Sequence, residues 1–125
     1  MKLTGKIKVA NSFALDADVV LHHGNCLDLL NAIPSKCIQL IVTSPPYNIG
    51  KPYEKRVKLE EYIEQQKLVI GECERTLADN GSICWQIGNY VEDGEITPLD
   101  IALYPTFKKL GFKLRNRIVW YFEHG

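Results

Sequence analysis

A short corner with a hydroxyl, two prolines and an aromatic ring is the part of the sequence best suited to chemistry. Ser44 is followed directly by Pro45, Pro46 and Tyr47. Because proline lacks an N–H and restricts the backbone, the corner is stiff and offers carbonyl oxygens without competing donors. The Ser44 hydroxyl and the Pro45 carbonyl could each accept one N–H of a planar group that carries an NH2, with Tyr47 stacked on its plane. The spacing predicts a site that grips an exocyclic amine.

The segment before the corner predicts a buried strand. Residues 38–42 read Ile-Gln-Leu-Ile-Val, and the two prolines end this apolar run abruptly. Ser44 is therefore expected at the carboxyl end of a strand, which is the edge where ligands bind in open α/β sheets. Residues 19–23 predict an earlier strand and residues 26–33 a helix. We expect the two strands to form a parallel, right-handed unit around that helix.

Further along, hydrophobic spacing and turn residues predict the remaining elements. Apolar residues at steps of three and four predict one long amphipathic helix over residues 59–78, closed by Asn80 and Gly81. A buried strand over 82–88 and an acidic loop over 89–95 are expected next. A helix opened by Thr97 and Pro98 and ended by Gly111 then leads to a final strand over 112–122.

Residues 43–51, which read Thr-Ser-Pro-Pro-Tyr-Asn-Ile-Gly-Lys, resemble the catalytic box of the amino-methylating DNA methyltransferases. They look like the branch in which this box precedes the cofactor box. The resemblance implies an α/β, Rossmann-like fold with a mostly parallel sheet and catalytic residues Ser44, Pro45, Pro46 and Tyr47. It implies methyl transfer from S-adenosylmethionine to a flipped base of DNA, and Ser44 slightly favours cytosine N4 over adenine N6. The alternative is a structural Pro-Pro turn.

The resemblance also implies a place for the cofactor. In the family, the box before the catalytic strand usually reads Gly-Asp-Cys, and this chain has Gly24, Asn25 and Cys26. Asn25, Cys26 and the nearby carboxylate of Asp28 are therefore expected to contact S-adenosylmethionine. Two other interpretations stay open, because Asn25 could cap the following helix and Asp28 could only complement its dipole.

The family's Phe-x-Gly-x-Gly cofactor turn and its target-recognition segment are not found in residues 1–125, since no two glycines stand two positions apart. We expect one partial catalytic domain, and a second chain could supply the rest. Two alternatives remain. The chain could be an incomplete fragment that serves as a nucleic-acid-binding or assembly subunit, or the amine could belong to RNA or a protein glutamine, although that glutamine box commonly has Asn where this chain has Ser44.

Basic residues follow the corner in a polar loop. Lys51, Lys55, Arg56 and Lys58 are expected to contact DNA phosphates, unless the loop is simply solvated. The family often has an apolar segment with a tryptophan that lines the target-base pocket. Trp120 stands in such a segment, and core packing would explain it equally well.

Composition limits these expectations. With 15 basic and 15 acidic residues the formal net charge is zero, whereas a self-sufficient DNA binder usually has a basic surplus. The four cysteines lack the close pairing of a zinc site, so we expect reduced core residues and no metal. No apolar stretch is long enough for a membrane span and no signal-peptide core follows Met1, so we expect a cytoplasmic protein.

Overall fold

A computed structural model describes residues 5–121. The chain forms an α/β structure, as expected. Its elements in order are β1 (Val9–Ala10), β2 (Val19–Val20), α1 (Cys26–Ala32), β3 (Ile38–Thr43), α2 (Leu59–Thr76), β4 (Leu77–Trp85), β5 (Asn89–Glu92), β6 (Glu95–Pro98) and α3 (Leu99–Lys109).

The strands form three two-stranded sheets. β1 and β2 are parallel, β3 and β4 are parallel, and β5 and β6 are antiparallel. The parallel unit predicted from residues 19–23 and 38–43 is therefore wrong as a hydrogen-bonded pair. β2 has only two residues and pairs with β1, while β3 pairs with the strand that follows α2. The strand–helix–strand unit of this chain is β3, α2 and β4.

β4 begins where α2 ends. Leu77 caps the helix through a hydrogen bond from its N–H to the Cys73 carbonyl, and it is also the first residue of the strand. Gly81 does not close the helix, as predicted, but lies inside β4 near a shift in the β3–β4 register. A Cβ on Gly81 would meet the Ala78 carbonyl oxygen at 2.9 Å, so glycine permits this irregular strand.

α2 packs through one face, in agreement with the predicted amphipathic helix. Its buried residues recur at steps of three and four. They are Tyr62, Gln66, Ile70, Cys73 and Thr76. Near the start of the helix, Tyr62 packs with Tyr90 and Leu99 in one apolar cluster. This cluster connects α2 to the β5–β6 hairpin and to α3.

Arg75, in the last turn of α2, fixes this helix to α1. Its guanidinium donates to the Leu30 carbonyl at 2.8 Å and to the Ile33 carbonyl at 3.0 Å. These carbonyls lie at the carboxyl end of α1, where a helix leaves its acceptors without partners. Glu72 accepts a third hydrogen bond from Arg75 and holds the guanidinium in place.

Residues 89–98 form a hairpin, which corrects two predictions. The expected acidic loop contains β5, β6 and a turn in which Asp93 and Gly94 have φ of +49° and +80°. Asp-Gly favours this kind of two-residue hairpin turn. Thr97 and Pro98 complete β6 instead of opening the next helix, so that Pro98 is the N-cap of α3.

The final strand predicted over residues 112–122 is not formed in its described part, residues 112–121. Phe122 lies outside the described residues. Ile118 and Val119 are 85% and 76% exposed, so this apolar segment has no sheet to pack on. Arg117 holds the segment near α3 through a hydrogen bond to the Asp100 carboxylate at 2.7 Å.

β3 is less buried than its sequence suggested. Leu40 and Val42, which share one face of the strand, are 57% and 70% exposed. Within residues 5–121, β3 has a hydrogen-bonded neighbour on one edge only.

The cysteines also differ from the prediction, because only Cys73 is buried and Cys26 and Cys84 are exposed. In the described range, no helix combines the length and the apolar character needed to cross a bilayer.

Candidate active site

Ser44 stands directly after β3, and its side chain is paired with the tyrosine that ends the corner. The Ser44 hydroxyl and the Tyr47 hydroxyl are 2.9 Å apart, and either oxygen can be the donor. Ser44 is exposed and Tyr47 is partly buried. The sequence assigned Tyr47 a stacking role through its ring. The structure adds a contact for its hydroxyl, which also orients the Ser44 side chain.

A buried tyrosine holds the corner from behind. The hydroxyl of Tyr62 donates to the Pro46 carbonyl at 2.8 Å. Tyr62 is 3% exposed, and its burial, followed by the nearby Glu54 and Tyr47, raises the pKa of its hydroxyl far above the ordinary value. The hydroxyl therefore stays protonated and remains a donor. The helical spacing predicted that Tyr62 is buried, but no local signal indicated that it reaches Pro46.

A glycine supports the tyrosine ring. A Cβ built on Gly88, in the connection between β4 and β5, would lie 2.9 Å from Cδ2 of Tyr47 and 3.3 Å from its Cε2. The ring is therefore seated against the Gly88 backbone, where a side chain would displace it. Sequence reasoning placed Gly88 at the end of a strand and did not identify this contact.

Asn48, the first residue after the corner, organises the loop that follows. It is 3% exposed and has a φ of +60°, a conformation that asparagine tolerates better than most residues. Its side-chain amide donates to the Val57 carbonyl at 2.7 Å and accepts from the Val57 N–H at 2.8 Å. These two hydrogen bonds close the base of the loop beside the corner.

Glu54 closes the tip of the same loop. Its carboxylate accepts hydrogen bonds from the backbone N–H groups of Asn48, Ile49 and Lys51, at 2.9, 2.8 and 3.2 Å. Burial acts to raise the pKa of Glu54, but the backbone donors outweigh it, so that the pKa lies below its ordinary value of 4.5. The ionised carboxylate thus stabilises the folded loop.

We expect Glu54→Gln to lower the melting temperature at neutral pH. A loss of about 1 kcal/mol corresponds to a decrease of about 4 °C. Because the folded pKa is depressed, this stabilisation is complete above pH 4.5 and is lost as the pH falls through the folded pKa. The difference between parent and variant should therefore shrink in acid, as measured by thermal unfolding across pH. Glu95→Gln, at an exposed residue of β6, is the control and should show no such change.

The four basic residues of the loop differ in their contacts. Lys51, Lys55 and Lys58 are exposed. Arg56 is also exposed, but its guanidinium donates to the Val91 carbonyl and lies 5.1 Å from the centre of the Tyr90 ring. Arg56 therefore fastens the loop to the β5–β6 hairpin. Within residues 5–121, the side chains of the three lysines make no hydrogen bond or salt bridge to another residue.

The residues expected to hold the cofactor lie at the start of α1. Asn25 is its N-cap, because the side-chain oxygen accepts from the Leu27 N–H at 3.0 Å. This agrees with the capping interpretation, and it leaves the amide nitrogen of Asn25 available. Asn25, Cys26 and Asp28 are all exposed and lie outside the hydrogen-bonded network of the corner. An amide donor and a carboxylate acceptor suit the polar groups of a nucleoside, so the described residues fit one part of the cofactor.

Trp120 lies in the irregular segment before the end of the described chain and is 76% exposed. The structure does not bring it to the corner. Its assignment to a target-base pocket remains a prediction from the resemblance. Among residues 5–121 there is no group of three or more histidine, cysteine or acidic side chains placed to hold a metal ion.

Comparison with known proteins identifies the family. The sequence model of the N6/N4 DNA methylases, described as DNA methylase, matches residues 38–125. The chain is 47% identical over 106 residues to the type II methyltransferase M.BglII of Bacillus subtilis, covering 84% of this chain and 29% of that protein. It is 33% identical over 114 residues to the DNA adenine methyltransferase YhdJ of Escherichia coli K12, covering 89% of this chain and 35% of that protein.

A solved structure supports the fold. The chain superposes on the cytosine-N4-specific PvuII DNA methyltransferase with a TM-score of 0.62 at 20% sequence identity. The match covers 84% of this chain and 36% of that protein. The chain thus spans about a third of the length of each of these relatives. The corner, the sequence matches and the fold agree, and the chain belongs to the N6/N4 family of amino-methylating DNA methyltransferases.

Proposed function

We propose that this chain provides the catalytic corner of a site-specific DNA methyltransferase, as in restriction-modification, which transfers a methyl group from S-adenosylmethionine to the exocyclic amine of a flipped base. The observation that carries the proposal is the exposed Ser44 hydroxyl, oriented by Tyr47 at the carboxyl end of β3. Serine in this position slightly favours cytosine N4 over adenine N6.

The corner would work by positioning and electrostatics. The Ser44 oxygen has two lone pairs, so it can keep its contact with Tyr47 and still accept one N–H of the amine. The Pro45 carbonyl accepts the other N–H. These two acceptors draw the nitrogen lone pair out of the ring system and hold the amine in line for attack. As the nitrogen–methyl bond forms, the sulfur–methyl bond of the cofactor would break and leave S-adenosylhomocysteine. The methylated amine would then release one proton to solvent water at the exposed corner, and the scheme requires no covalent enzyme intermediate.

S-adenosylmethionine, when bound, supplies an electrophilic methyl group. In this proposal Asn25, Cys26 and Asp28 hold part of it, with the free amide nitrogen of Asn25 donating and the Asp28 carboxylate accepting. Lys51, Lys55 and Lys58 contact DNA phosphates near the corner. Arg56 adds positive charge from its place on the hairpin, and Trp120 lines the base pocket once its segment is packed.

Mass spectrometry of nucleosides tests the proposal. The protein, expressed over its whole natural reading frame, is incubated with S-adenosylmethionine and mixed-sequence DNA, and the DNA is digested to nucleosides. We expect N4-methyl-2′-deoxycytidine as the new product. N6-methyl-2′-deoxyadenosine would keep the reaction class and overturn the choice of base. If neither product forms while the protein binds both DNA and cofactor, the proposed activity is wrong.

The exposed face of β3 supports a second candidate function. Leu40 and Val42 leave apolar surface open beside a strand edge, which invites association. We therefore propose that residues 1–125 by themselves methylate nothing, bind S-adenosylmethionine weakly or not at all, and act only as an assembly or nucleic-acid-binding part. Calorimetric titration with the cofactor, run beside sedimentation, tests this. A monomer with micromolar cofactor affinity would contradict it.

A further inference from the structure

We infer that Tyr62 is a positioning residue for methyl transfer: its hydroxyl occupies the Pro46 carbonyl, so that the Pro45 carbonyl is the main-chain acceptor left for the amine. This inference rests on the proposed function and deepens it. The observation is the hydrogen bond of 2.8 Å from the Tyr62 hydroxyl to the Pro46 carbonyl. Among the hydrogen bonds of residues 5–121 outside helices and strands, none uses the Pro45 carbonyl.

The corner holds two proline carbonyls, and a planar amine can use only one of them beside Ser44. Because proline has no N–H, the two prolines offer no backbone donor to either carbonyl. A donor from elsewhere in the chain is needed to make the two carbonyl oxygens differ. Tyr62 supplies that donor. The Tyr62 hydroxyl takes one of the two lone pairs of the Pro46 carbonyl and fixes its direction, whereas both lone pairs of the Pro45 carbonyl stay open, so the substrate amine is directed to Pro45.

The Tyr62 hydroxyl is held without freedom to move away from Pro46. The Tyr62 ring is buried with Tyr90 and Leu99, and the residue is 3% exposed. A buried hydroxyl has no water as an alternative partner, which favours a permanently formed bond. Burial also raises the pKa of Tyr62 well above its ordinary value, so the donor proton is retained at neutral pH. The corner is thus fixed before any substrate arrives.

The Tyr62 hydroxyl should affect turnover more than binding. Loss of the hydroxyl frees the Pro46 carbonyl and lets the corner shift, while Ser44, Tyr47 and both prolines remain. Misplacement of reacting groups by about 1 Å can cost about 100-fold in rate. Tyr62→Phe keeps the ring in the apolar cluster, so its main consequence should appear in kcat rather than in binding of DNA or cofactor.

One arm of the test needs no activity. In protein labelled with carbonyl-¹³C proline and ¹⁵N tyrosine, the peptide bonds within residues 1–125 that join the two labels are Pro46–Tyr47 and Pro52–Tyr53. Each gives one peak in a carbonyl-to-amide correlation spectrum of this chain, and Tyr53→Phe assigns them by removing one. We expect Tyr62→Phe to move the Pro46 carbonyl resonance and leave that of Pro52 in place. An unmoved Pro46 resonance would overturn the inference, whether or not the enzyme is active.

The other arm measures turnover in the complete polypeptide. We expect Tyr62→Phe to lower kcat about 10- to 100-fold, with KM values for DNA and S-adenosylmethionine changed less than about threefold. Tyr90→Phe is the matched control, because it removes a hydroxyl from the same cluster and, within residues 5–121, that hydroxyl makes no hydrogen bond to Pro46. It should leave kcat and the Pro46 resonance unchanged.

The outcomes separate this inference from the proposed function. An active parent with an equally active Tyr62→Phe overturns the positioning role alone. Equal losses of kcat in Tyr62→Phe and Tyr90→Phe would indicate that the cluster only stabilises the fold, and would also overturn it. A parent that methylates no DNA contradicts the proposed function, and the carbonyl resonance still decides whether Tyr62 engages Pro46.

Discussion

Ser44→Ala should abolish measurable methylation in the complete polypeptide, with a loss of about 10²–10³ in rate, by analogy with the removal of one preorganised hydrogen-bond partner. The substitution deletes one of two acceptors for the amine. It also leaves the Tyr47 hydroxyl, 2.9 Å away, without its partner. Because Ser44 is exposed, no packing volume is lost, and loss of the one hydrogen bond should lower the melting temperature by a few degrees at most.

The measurement is single-turnover methylation of DNA at saturating cofactor, with circular dichroism to verify the fold. Ser82→Ala is the control, because Ser82 is an exposed hydroxyl on β4 and should be silent. Activity of Ser44→Ala within about threefold of the parent would contradict the acceptor role of Ser44.

Tyr47→Ala should have the next largest effect. Stacking of a base on an aromatic side chain contributes roughly 1–3 kcal/mol by alanine substitution, which corresponds to a loss of about 5- to 150-fold. The ring is also seated against Gly88, so alanine would leave an open space beside the corner. Binding of DNA that contains a fluorescent base analogue at the target position reports the stacking directly.

Tyr47→Phe separates the ring from the hydroxyl. The sequence alone predicted that phenylalanine is tolerated, since stacking needs only the ring. Because the Tyr47 hydroxyl is hydrogen-bonded to Ser44, we now expect Tyr47→Phe to lower the rate of methylation slightly. One neutral hydrogen bond contributes about 0.5–1.5 kcal/mol. In a double-mutant cycle with Ser44→Ala, the two losses should not add. If phenylalanine is as damaging as alanine, the hydroxyl has a further chemical role.

The sequence predicted the elements whose signals are local. β3 ended where Pro45 and Pro46 break the apolar run, and α2 ended within two residues of its predicted boundary. The pairing of strands was predicted less well. The sequence of β2 alone does not predict that its partner is β1, because pairing depends on residues outside the strand. Residues 112–121 have the composition of a strand, but a strand also needs a neighbour.

The corner itself was visible in the sequence, and its supports were not. Ser44 and Tyr47 attract attention because their types and spacing suit an amine. Tyr62 looked like one more apolar position on a helix, and Gly88 like the end of a strand. Their roles arise from the 2.8 Å hydrogen bond between Tyr62 and Pro46, 16 positions apart, and from the close approach of the Tyr47 ring to Gly88, 41 positions apart, which no periodicity encodes. The Asp-Gly pair at 93 and 94 is different, since it is a known hairpin signal that the sequence reading assigned to a loop.

The direct passage of α2 into β4 determines where this chain can be altered. With no connecting loop, an extra residue between Tyr62 and Thr76 would rotate one end of the helix against the other by about 100° and lengthen it by about 1.5 Å. Either Tyr62 would leave Pro46 or β4 would lose its register with β3. The turn at Asp93 and Gly94 has open space around it and is the better place for an inserted tag or a split of the chain into two expressed halves.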